Sequence, residues 1–130
     1  MRDDRPERVY GILVREGRAF LLRRGEAFGL PGGEFRPLAE DRKVELRGHL
    51  LDQLGIVART IWAQGAFDYQ APGDDRPYFS GFYTVWEWDG EVPESAGRWV
   101  SSNELSEVTL PTSLRILLLS VLTMQALRTT

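Results

Sequence analysis

A glycine-rich turn followed by one amphipathic helix is the feature that most constrains the fold of this sequence. The run Leu30-Pro31-Gly32-Gly33 cannot continue a regular strand or helix, so it predicts a sharp loop over residues 25–33. Residues 40–54 then carry apolar side chains at helical spacing, and Gly55 stands where a C-terminal glycine cap belongs. The segment therefore predicts a tight loop, one helix over residues 40–54 and a second tight turn.

The two sides of the predicted helix differ in chemistry. At about 100° per residue, one broad arc is apolar and is expected to face the core: Val44, Leu46, Leu50, Leu51 and Leu54. The opposite side gathers Asp41, Glu45, His49 and Asp52. Lys43 and Arg47 fall within the apolar arc, where their long stems are expected to lead the charges out to water.

Strands flank this segment on both sides. Residues 9–14 and 19–22 predict a hairpin closed by the turn Glu16-Gly17. Further strands are predicted over 56–67, 78–88 and 98–100, with a loop over 68–77 and a final helix over about 113–128. This order does not match the regular alternation of a doubly wound sheet. It predicts an α+β domain with a mixed sheet.

Composition narrows the classes of function. The 130 residues fit one domain, 1–130, and the formal net charge of −3 argues against a general nucleic-acid or membrane-surface binder. Cysteine is absent from the sequence, which excludes disulfides and thiolate metal sites. The most apolar stretch, residues 114–127, is too short to span a bilayer, and we expect a cytoplasmic protein. That stretch is apolar on more than one face, so it is expected to fill the core and also to pack against a partner subunit in a homodimer.

Several sequence motifs in this chain resemble those of the Nudix hydrolase family. Its members carry Gly-x5-Glu-x7-Arg-Glu-U-x-Glu-Glu-x-Gly-U, with U aliphatic, in a loop-helix-loop. Residues 28–33, Phe-Gly-Leu-Pro-Gly-Gly, match the usual approach to this box, and Leu50, Gly55 and Ile56 match its end. Residues 98–105 and 110–114 match segments common near the end of Nudix domains. The resemblance implies a Nudix-like α/β/α sandwich with a mixed sheet.

The same alignment implies a degenerate catalytic box. The arginine position falls on Gly48, and the three metal-holding glutamates fall on His49, Asp52 and Gln53. The earlier glutamate falls on Glu40 if the loop after Gly33 carries one extra residue. Family members typically use Mg²⁺ or Mn²⁺, and Mg²⁺ prefers oxygen ligands. Losing one charge-stabilising group costs on the order of 10²–10³ in rate, so we expect weak or no standard hydrolysis.

A rebuilt site is the alternative. Glu45, His49 and Asp52 share one helix face at spacings of four and three residues, which suits a mixed-ligand metal site as well as a solvated acidic face. The catalytic candidates are therefore Glu45, His49, Asp52 and Gln53, and the first three are the metal candidates. A cofactor is expected, as Mg²⁺ or Mn²⁺, only if the protein is active.

Candidate ligand-binding residues lie before and within the glycine-rich loop. Arg23 and Arg24 end the hairpin strand where a phosphate would meet the loop, and Gly32 and Gly33 are candidates to cradle part of a ligand. We therefore weigh three hypotheses. The protein binds a nucleotide or another phosphate-containing small molecule without turnover, or it is a divergent pyrophosphohydrolase acting on nucleoside diphosphates linked to another group, or its last helix serves assembly. The box substitutions favour the first hypothesis over the second, and the third is compatible with either.

Overall fold

A branched, seven-stranded mixed sheet forms the centre of the molecule. The computed structural model describes residues 6–36 and 41–128. The strands are β1 (Glu7–Arg15), β2 (Arg18–Arg24), β3 (Ala27–Gly29), β4 (Gly32–Phe35), β5 (Val57–Tyr69), β6 (Tyr78–Asp89) and β7 (Gly97–Ser101). The helices are α1 (Arg42–Leu54) and α2 (Thr112–Arg128), with short 3₁₀ helices at Glu94–Ala96 and Glu104–Glu107.

Strand β1 connects the two parts of the sheet. The strand order is β3-β2-β1-β6-β5, with β4 added to β1 and β7 added to β2. The pairing of β1 with β6 is parallel and runs from Glu7 beside Phe79 to Leu13 beside Val85. The pairings of β1 with β2 and with β4 are antiparallel. This combination confirms the predicted mixed sheet.

The two faces of the sheet bury separate cores, one beneath each helix. Alternate residues of β1 point to opposite faces, so Val9 and Leu13 pack on the α1 side while Tyr10 and Ile12 pack on the α2 side. Leu46, Leu50 and Leu54 anchor α1 to its face of the sheet. On the other face, the anchors of α2 are Leu114, Leu118, Val121 and Leu122. The result is the expected α/β/α sandwich.

Helix α1 ends at the predicted glycine cap, whereas it begins at Arg42 and the predicted range begins at residue 40. Asp41 caps the first turn, where its carboxylate accepts a hydrogen bond from the backbone N–H of Lys43 at 2.8 Å. Gly55 ends the helix in the left-handed conformation, with φ of 70°, and its N–H bonds to the carbonyl of Leu51. Arg47 leads its charge out of the apolar arc and donates to the backbone carbonyls of Ala58 and Arg59. Glu40 lies outside the described residues.

The prediction that the whole apolar arc of α1 faces the core is wrong at two positions. Val44 is 60% exposed and Leu51 is 53% exposed. The sheet meets only the narrow strip formed by Leu46, Leu50 and Leu54, which recurs every four residues, and side chains beside that strip point to water. The apolar arc on α1 is therefore wider than the strip of the helix that the sheet covers.

The glycine-rich run contains two short strands that the sequence analysis assigned to a loop. β3 pairs with β2, with Phe28 opposite Arg23, and β4 pairs with β1, with Gly32 opposite Tyr10. Local sequence disfavours a strand here, but partners on neighbouring strands supply the backbone hydrogen bonds. Gly32 has φ of +142°, and a Cβ there would clash with the carbonyl oxygen of Val9. Glycine at position 32 is therefore required by the close approach of β4 to β1.

Helix α2 partly matches the prediction for the final segment. Its inner side fills the core as expected, whereas Ile116 is 60% exposed and Leu119 is 38% exposed. The homodimer stays a prediction. No helix in residues 6–36 and 41–128 is long and apolar enough to cross a membrane.

Candidate functional site

The acidic face of α1 lines an open cleft, as its spacing predicts. This helix cleft has a volume of about 340 Å³ and is lined by Glu34, Arg36, Glu45, Gly48, His49 and Asp52. Three of the predicted catalytic residues thus lie along one surface. Gln53, the fourth, is absent from this lining set and makes its hydrogen bonds at the glycine turn.

Gln53 binds the backbone of the glycine-rich loop through both atoms of its amide. Its Oε1 accepts a hydrogen bond from the N–H of Gly32 at 2.9 Å, and its Nε2 donates to the carbonyl of Gly32 at 2.8 Å. Only an amide can accept and donate in this way, because a carboxylate has no proton to give at neutral pH. The residue at this position therefore fastens the loop to the helix.

His49 also contacts the loop. Its Nε2 lies 2.8 Å from the carbonyl oxygen of Glu34. A carbonyl oxygen only accepts hydrogen bonds, so Nε2 must carry the proton. The imidazole packs beside Gly33, where a Cβ would lie 3.1 Å from its Cε1. Nδ1, which would lie 3.4 Å from that Cβ, is left as the only nitrogen of His49 with a lone pair for a metal.

Glu45 is held by an ion pair. Its carboxylate accepts a hydrogen bond from Nε of Arg36 at 2.7 Å, and the Glu45 side chain is 11% exposed whereas that of Arg36 is 77% exposed. Arg36 brings a positive charge into the cleft, which opposes a cation at the same place. Sequence analysis did not identify Arg36, because it lies nine residues before its partner in an irregular segment.

The donor set does not fit a Mg²⁺ site at the family's positions. Mg²⁺ wants several oxygen ligands in near-octahedral geometry, but both amide atoms of Gln53 are bonded to Gly32 and Nε2 of His49 is bonded to Glu34. Within residues 6–36 and 41–128, no group of three or more histidine and acidic side chains is arranged to hold a metal ion. The roles of Glu45, His49 and Asp52 as metal ligands stay predictions.

Arg23 and Arg24 line a second cleft on the other side of the glycine-rich segment. This basic cleft has a volume of about 770 Å³, and its other lining residues are Gly25, Glu26, Ala27, Pro72 and Gly73. The guanidinium of Arg23 lies 5.2 Å from the ring centroid of Phe28. Gly32 and Gly33, the other predicted ligand-binding residues, have packing roles against β1 and His49, and neither belongs to the lining of the basic cleft.

A third cleft adjoins the basic cleft at the loop between β5 and β6. This tyrosine cleft has a volume of about 670 Å³ and shares Ala27, Pro72 and Gly73 with the basic cleft. Its remaining lining comes from β3, the end of β5, the β5–β6 loop and the segment around the start of α2: Phe28, Asp68, Tyr69, Gln70, Ala71, Asp74, Pro77, Thr109, Pro111 and Ser113. Sequence analysis did not identify this cleft, since only the fold brings β3, the β5–β6 loop and the segment around the start of α2 together.

The loop between β5 and β6 is braced by its own hydrogen bonds. The carboxylate of Asp74 accepts from the N–H of Ala71 at 3.1 Å, and the side chain of Gln70 donates to the carbonyl of Asp74 at 2.9 Å. Arg8 reaches the same loop, with its NH2 nitrogen 4.0 Å from a carboxylate oxygen of Asp74. The wall between the basic and tyrosine clefts is therefore an ordered turn.

Glu104 stabilises a turn after β7. Its carboxylate accepts from the N–H of Ser101 at 3.1 Å and from Arg98 at 3.3 Å. The hydrogen bonds from Ser101, followed by that from Arg98, lower the pKa of the Glu104 carboxyl. These contacts give Glu104 a structural role at the turn.

Solved structures share this arrangement of sheet and helices. A MutT Nudix hydrolase from Burkholderia pseudomallei superposes with a TM-score of 0.66 and 22% identity, over 89% of this chain and 97% of that one. The chain has the Nudix fold. A MutT protein from Bacillus halodurans gives a TM-score of 0.72 and 17% identity over 90% of this chain and 82% of its own. A MutT protein from Methanosarcina mazei gives a TM-score of 0.71 and 20% identity over 96% of this chain and 99% of its own. No protein-family model matches the sequence, and no curated protein matches it either.

Proposed function

We propose that this Nudix-fold protein binds a nucleotide or another phosphate-containing small molecule across the basic and tyrosine clefts, with weak or no standard hydrolysis. The observation that carries the proposal is the adjacency of the two clefts, which share Ala27, Pro72 and Gly73. One end offers Arg23 and Arg24, and the other offers aromatic and polar side chains. A ligand with an anionic group joined to a planar group suits both ends.

The basic end has the chemistry for a phosphate. Guanidinium groups donate paired hydrogen bonds to phosphate oxygens and keep their charge at all accessible pH values. Burial raises the pKa of both Tyr10 and Tyr69, and the nearby charge of Arg24 partly opposes that rise. Its positive charge therefore acts at the border of the two clefts, where the two parts of the ligand would join.

The contacts of α1 support the absence of standard turnover. Gln53 and His49 stand at positions where the family carries glutamates, and both bond to the backbone of β4. A metal-activated water needs ligands that are free to hold the metal. These side chains instead hold the loop, so ligand binding is expected to proceed without a divalent ion.

Calorimetric titration tests the binding. We expect ADP, GDP, CDP or UDP to bind equally in EDTA and in Mg²⁺. Arg24→Ala should weaken that binding about tenfold or more, as removal of a charged hydrogen-bond partner does. Arg59→Ala is the matched control, because Arg59 is an exposed arginine paired with Asp89 near the opposite end of β5. Failure of all four nucleotides and of inorganic pyrophosphate to bind would refute the proposal.

A divergent hydrolase is the second candidate function. It is supported by the position of Glu45, His49 and Asp52 along the helix cleft. The discriminating assay is release of nucleoside monophosphate from nucleoside diphosphates linked to another group, with Mg²⁺, Mn²⁺ and Zn²⁺ in turn. Turnover that disappears in both His49→Ala and Asp52→Ala would establish this candidate, whereas no turnover with any metal would leave binding as the function.

A further inference from the structure

The hydroxyl of Tyr69 is a buried polar group without a protein partner. Tyr69 is 2% exposed, and its hydroxyl oxygen makes no hydrogen bond to any residue in the described part of the chain. Folded proteins seldom leave such a group unpaired, and an exception calls for a role that compensates its cost. The side chain also belongs to the lining of the tyrosine cleft.

The ring of Tyr69 is held in place by aromatic neighbours. It packs edge-on against Tyr10 at a centroid distance of 5.3 Å and against Phe82 at 5.7 Å. Edge-to-face contacts of this kind fix the orientation of both rings. The hydroxyl therefore cannot turn away to find a partner elsewhere, and its position is set before any ligand arrives.

The hydroxyl lies beneath the wall that separates the two clefts. A Cβ placed on Gly29 would lie 3.6 Å from the hydroxyl oxygen and 3.1 Å from Cδ of Pro72. Pro72 lines both the basic and the tyrosine cleft. The unpaired hydroxyl is thus close to the junction of the two clefts.

The protonation state of Tyr69 suits a donor. Burial raises the pKa of its phenol above the ordinary value, with a further contribution from Tyr10. The phenol therefore keeps its proton throughout the physiological range. It offers one O–H to an acceptor and carries no charge that would repel a phosphate bound nearby.

We infer that the Tyr69 hydroxyl recognises the uncharged part of the ligand, donating a hydrogen bond to an acceptor atom there while Arg23 and Arg24 hold the phosphate. The inference rests on the proposed function and narrows its ligand class. The ligand is a phosphate ester whose planar part carries a carbonyl oxygen or an unprotonated ring nitrogen, as nucleobases do. Inorganic phosphates lack such an atom and would leave the hydroxyl unpaired.

The substitution Tyr69→Phe tests whether the hydroxyl contributes to ligand binding or to the stability of the fold. In Tyr69→Phe the ring and its packing remain while the unpaired hydroxyl is lost, so the melting temperature of the ligand-free protein should stay equal or rise. Affinity for the nucleoside diphosphate that binds the wild type most tightly should fall about tenfold, and affinity for inorganic pyrophosphate should not change. Tyr83→Phe is the control, because Tyr83 is a largely buried tyrosine of the core on the α1 side of the sheet.

The other possible outcomes distinguish failure of this inference from failure of the proposed function. A lower melting temperature of ligand-free Tyr69→Phe would mean that the hydroxyl already has an internal partner, which overturns the inference. Unchanged nucleotide affinity, or an equal loss for pyrophosphate, would also overturn it while leaving the proposed function intact. A wild-type protein that binds neither nucleotides nor pyrophosphate would overturn the proposed function and this inference together.

Discussion

The side-chain amide of Gln53 pairs with both backbone polar groups of Gly32, at 2.9 Å and 2.8 Å. Gly32 is buried, so its N–H and carbonyl depend on this partner for their hydrogen bonds. The pairing joins the end of α1 to the start of β4. Gln53 thus makes a structural contact at the position where the family resemblance implied a metal ligand.

Gln53→Ala should therefore destabilise the protein. Two buried backbone groups would lose their partner, at a cost of about 1–3 kcal/mol in the free energy of unfolding. Urea unfolding monitored by circular dichroism measures the change. Asp52→Ala is the matched control at the neighbouring exposed position, and we expect it to change the free energy by less than about 0.5 kcal/mol. Equal effects of the two substitutions would contradict the role of the amide.

The two glycines of the turn should differ in their tolerance of a side chain. In Gly32→Ala the new Cβ would meet the backbone carbonyl of Val9, and φ of +142° adds strain. We expect a loss of about 3 kcal/mol or more, from overpacking and strain together. In Gly33→Ala the Cβ would meet the side chain of His49 at 3.1 Å, which can shift. The expected loss of stability is smaller for Gly33→Ala. Thermal unfolding of both variants measures the difference, and a larger loss in Gly33→Ala than in Gly32→Ala would contradict the prediction.

Gly48→Ala should stabilise α1. Gly48 lies in the middle of the helix, and a Cβ there would have no neighbour within 4 Å. Replacing glycine in a helix interior gains about 0.5–1 kcal/mol. Gly55→Ala is the contrasting variant, because Gly55 has φ of 70°, a conformation that costs L-residues about 1–2 kcal/mol. The free energy of unfolding should rise in Gly48→Ala and fall in Gly55→Ala. A destabilised Gly48→Ala would contradict the prediction that a side chain at position 48 meets open space.

Two adjacent leucines of α1 should respond differently to truncation. Leu50 is fully buried, so Leu50→Ala should cost about 2–5 kcal/mol through lost contacts and the cavity left behind. Leu51 is 53% exposed, and Leu51→Ala should cost less than about 0.5 kcal/mol. Chemical denaturation of the pair tests directly which part of the apolar arc meets the sheet.

Alkaline pH should destabilise the protein through Tyr10. Burial, together with the charge of Asp74, raises the pKa of Tyr10 from 10.0 to about 12. The raised pKa means that the protonated phenol stabilises the folded state fully below pH 10, and this contribution is lost as pH rises from 10 to 12. Tyr10→Phe should therefore lose less stability across that window than the wild type. Parallel curves of unfolding free energy against pH would show that Tyr10 does not titrate there.

The sequence predicted the features that depend on local chemistry. The helix period, the glycine cap at Gly55 and the turn at Glu16-Gly17 all follow from neighbouring residues, and the structure confirms them. The sequence motifs around residues 28–33 likewise indicated the Nudix fold. These signals are local because each depends on backbone preferences or on spacing within a few turns.

The contacts that define the candidate site are long-range, and the sequence did not reveal them. Gln53 and Gly32 are 21 residues apart, and the polar spacing of α1 does not say which backbone group an amide will bond. The tyrosine cleft joins β3, the β5–β6 loop and the start of α2, which only the folded sheet brings together. The exposure of Val44 and Leu51 depends in the same way on how wide a strip of sheet faces the helix.

The parallel pairing of β1 with β6 has a consequence for the order of folding. Glu7 lies beside Phe79 and Leu13 beside Val85, so the central pair of strands joins residues about seventy positions apart in the chain. Contacts of such long sequence separation slow folding, because the intervening chain must be ordered first. During synthesis, the β1–β2 hairpin and α1 emerge from the ribosome well before β6 can join β1. The sheet that both helices cover is completed only late in translation.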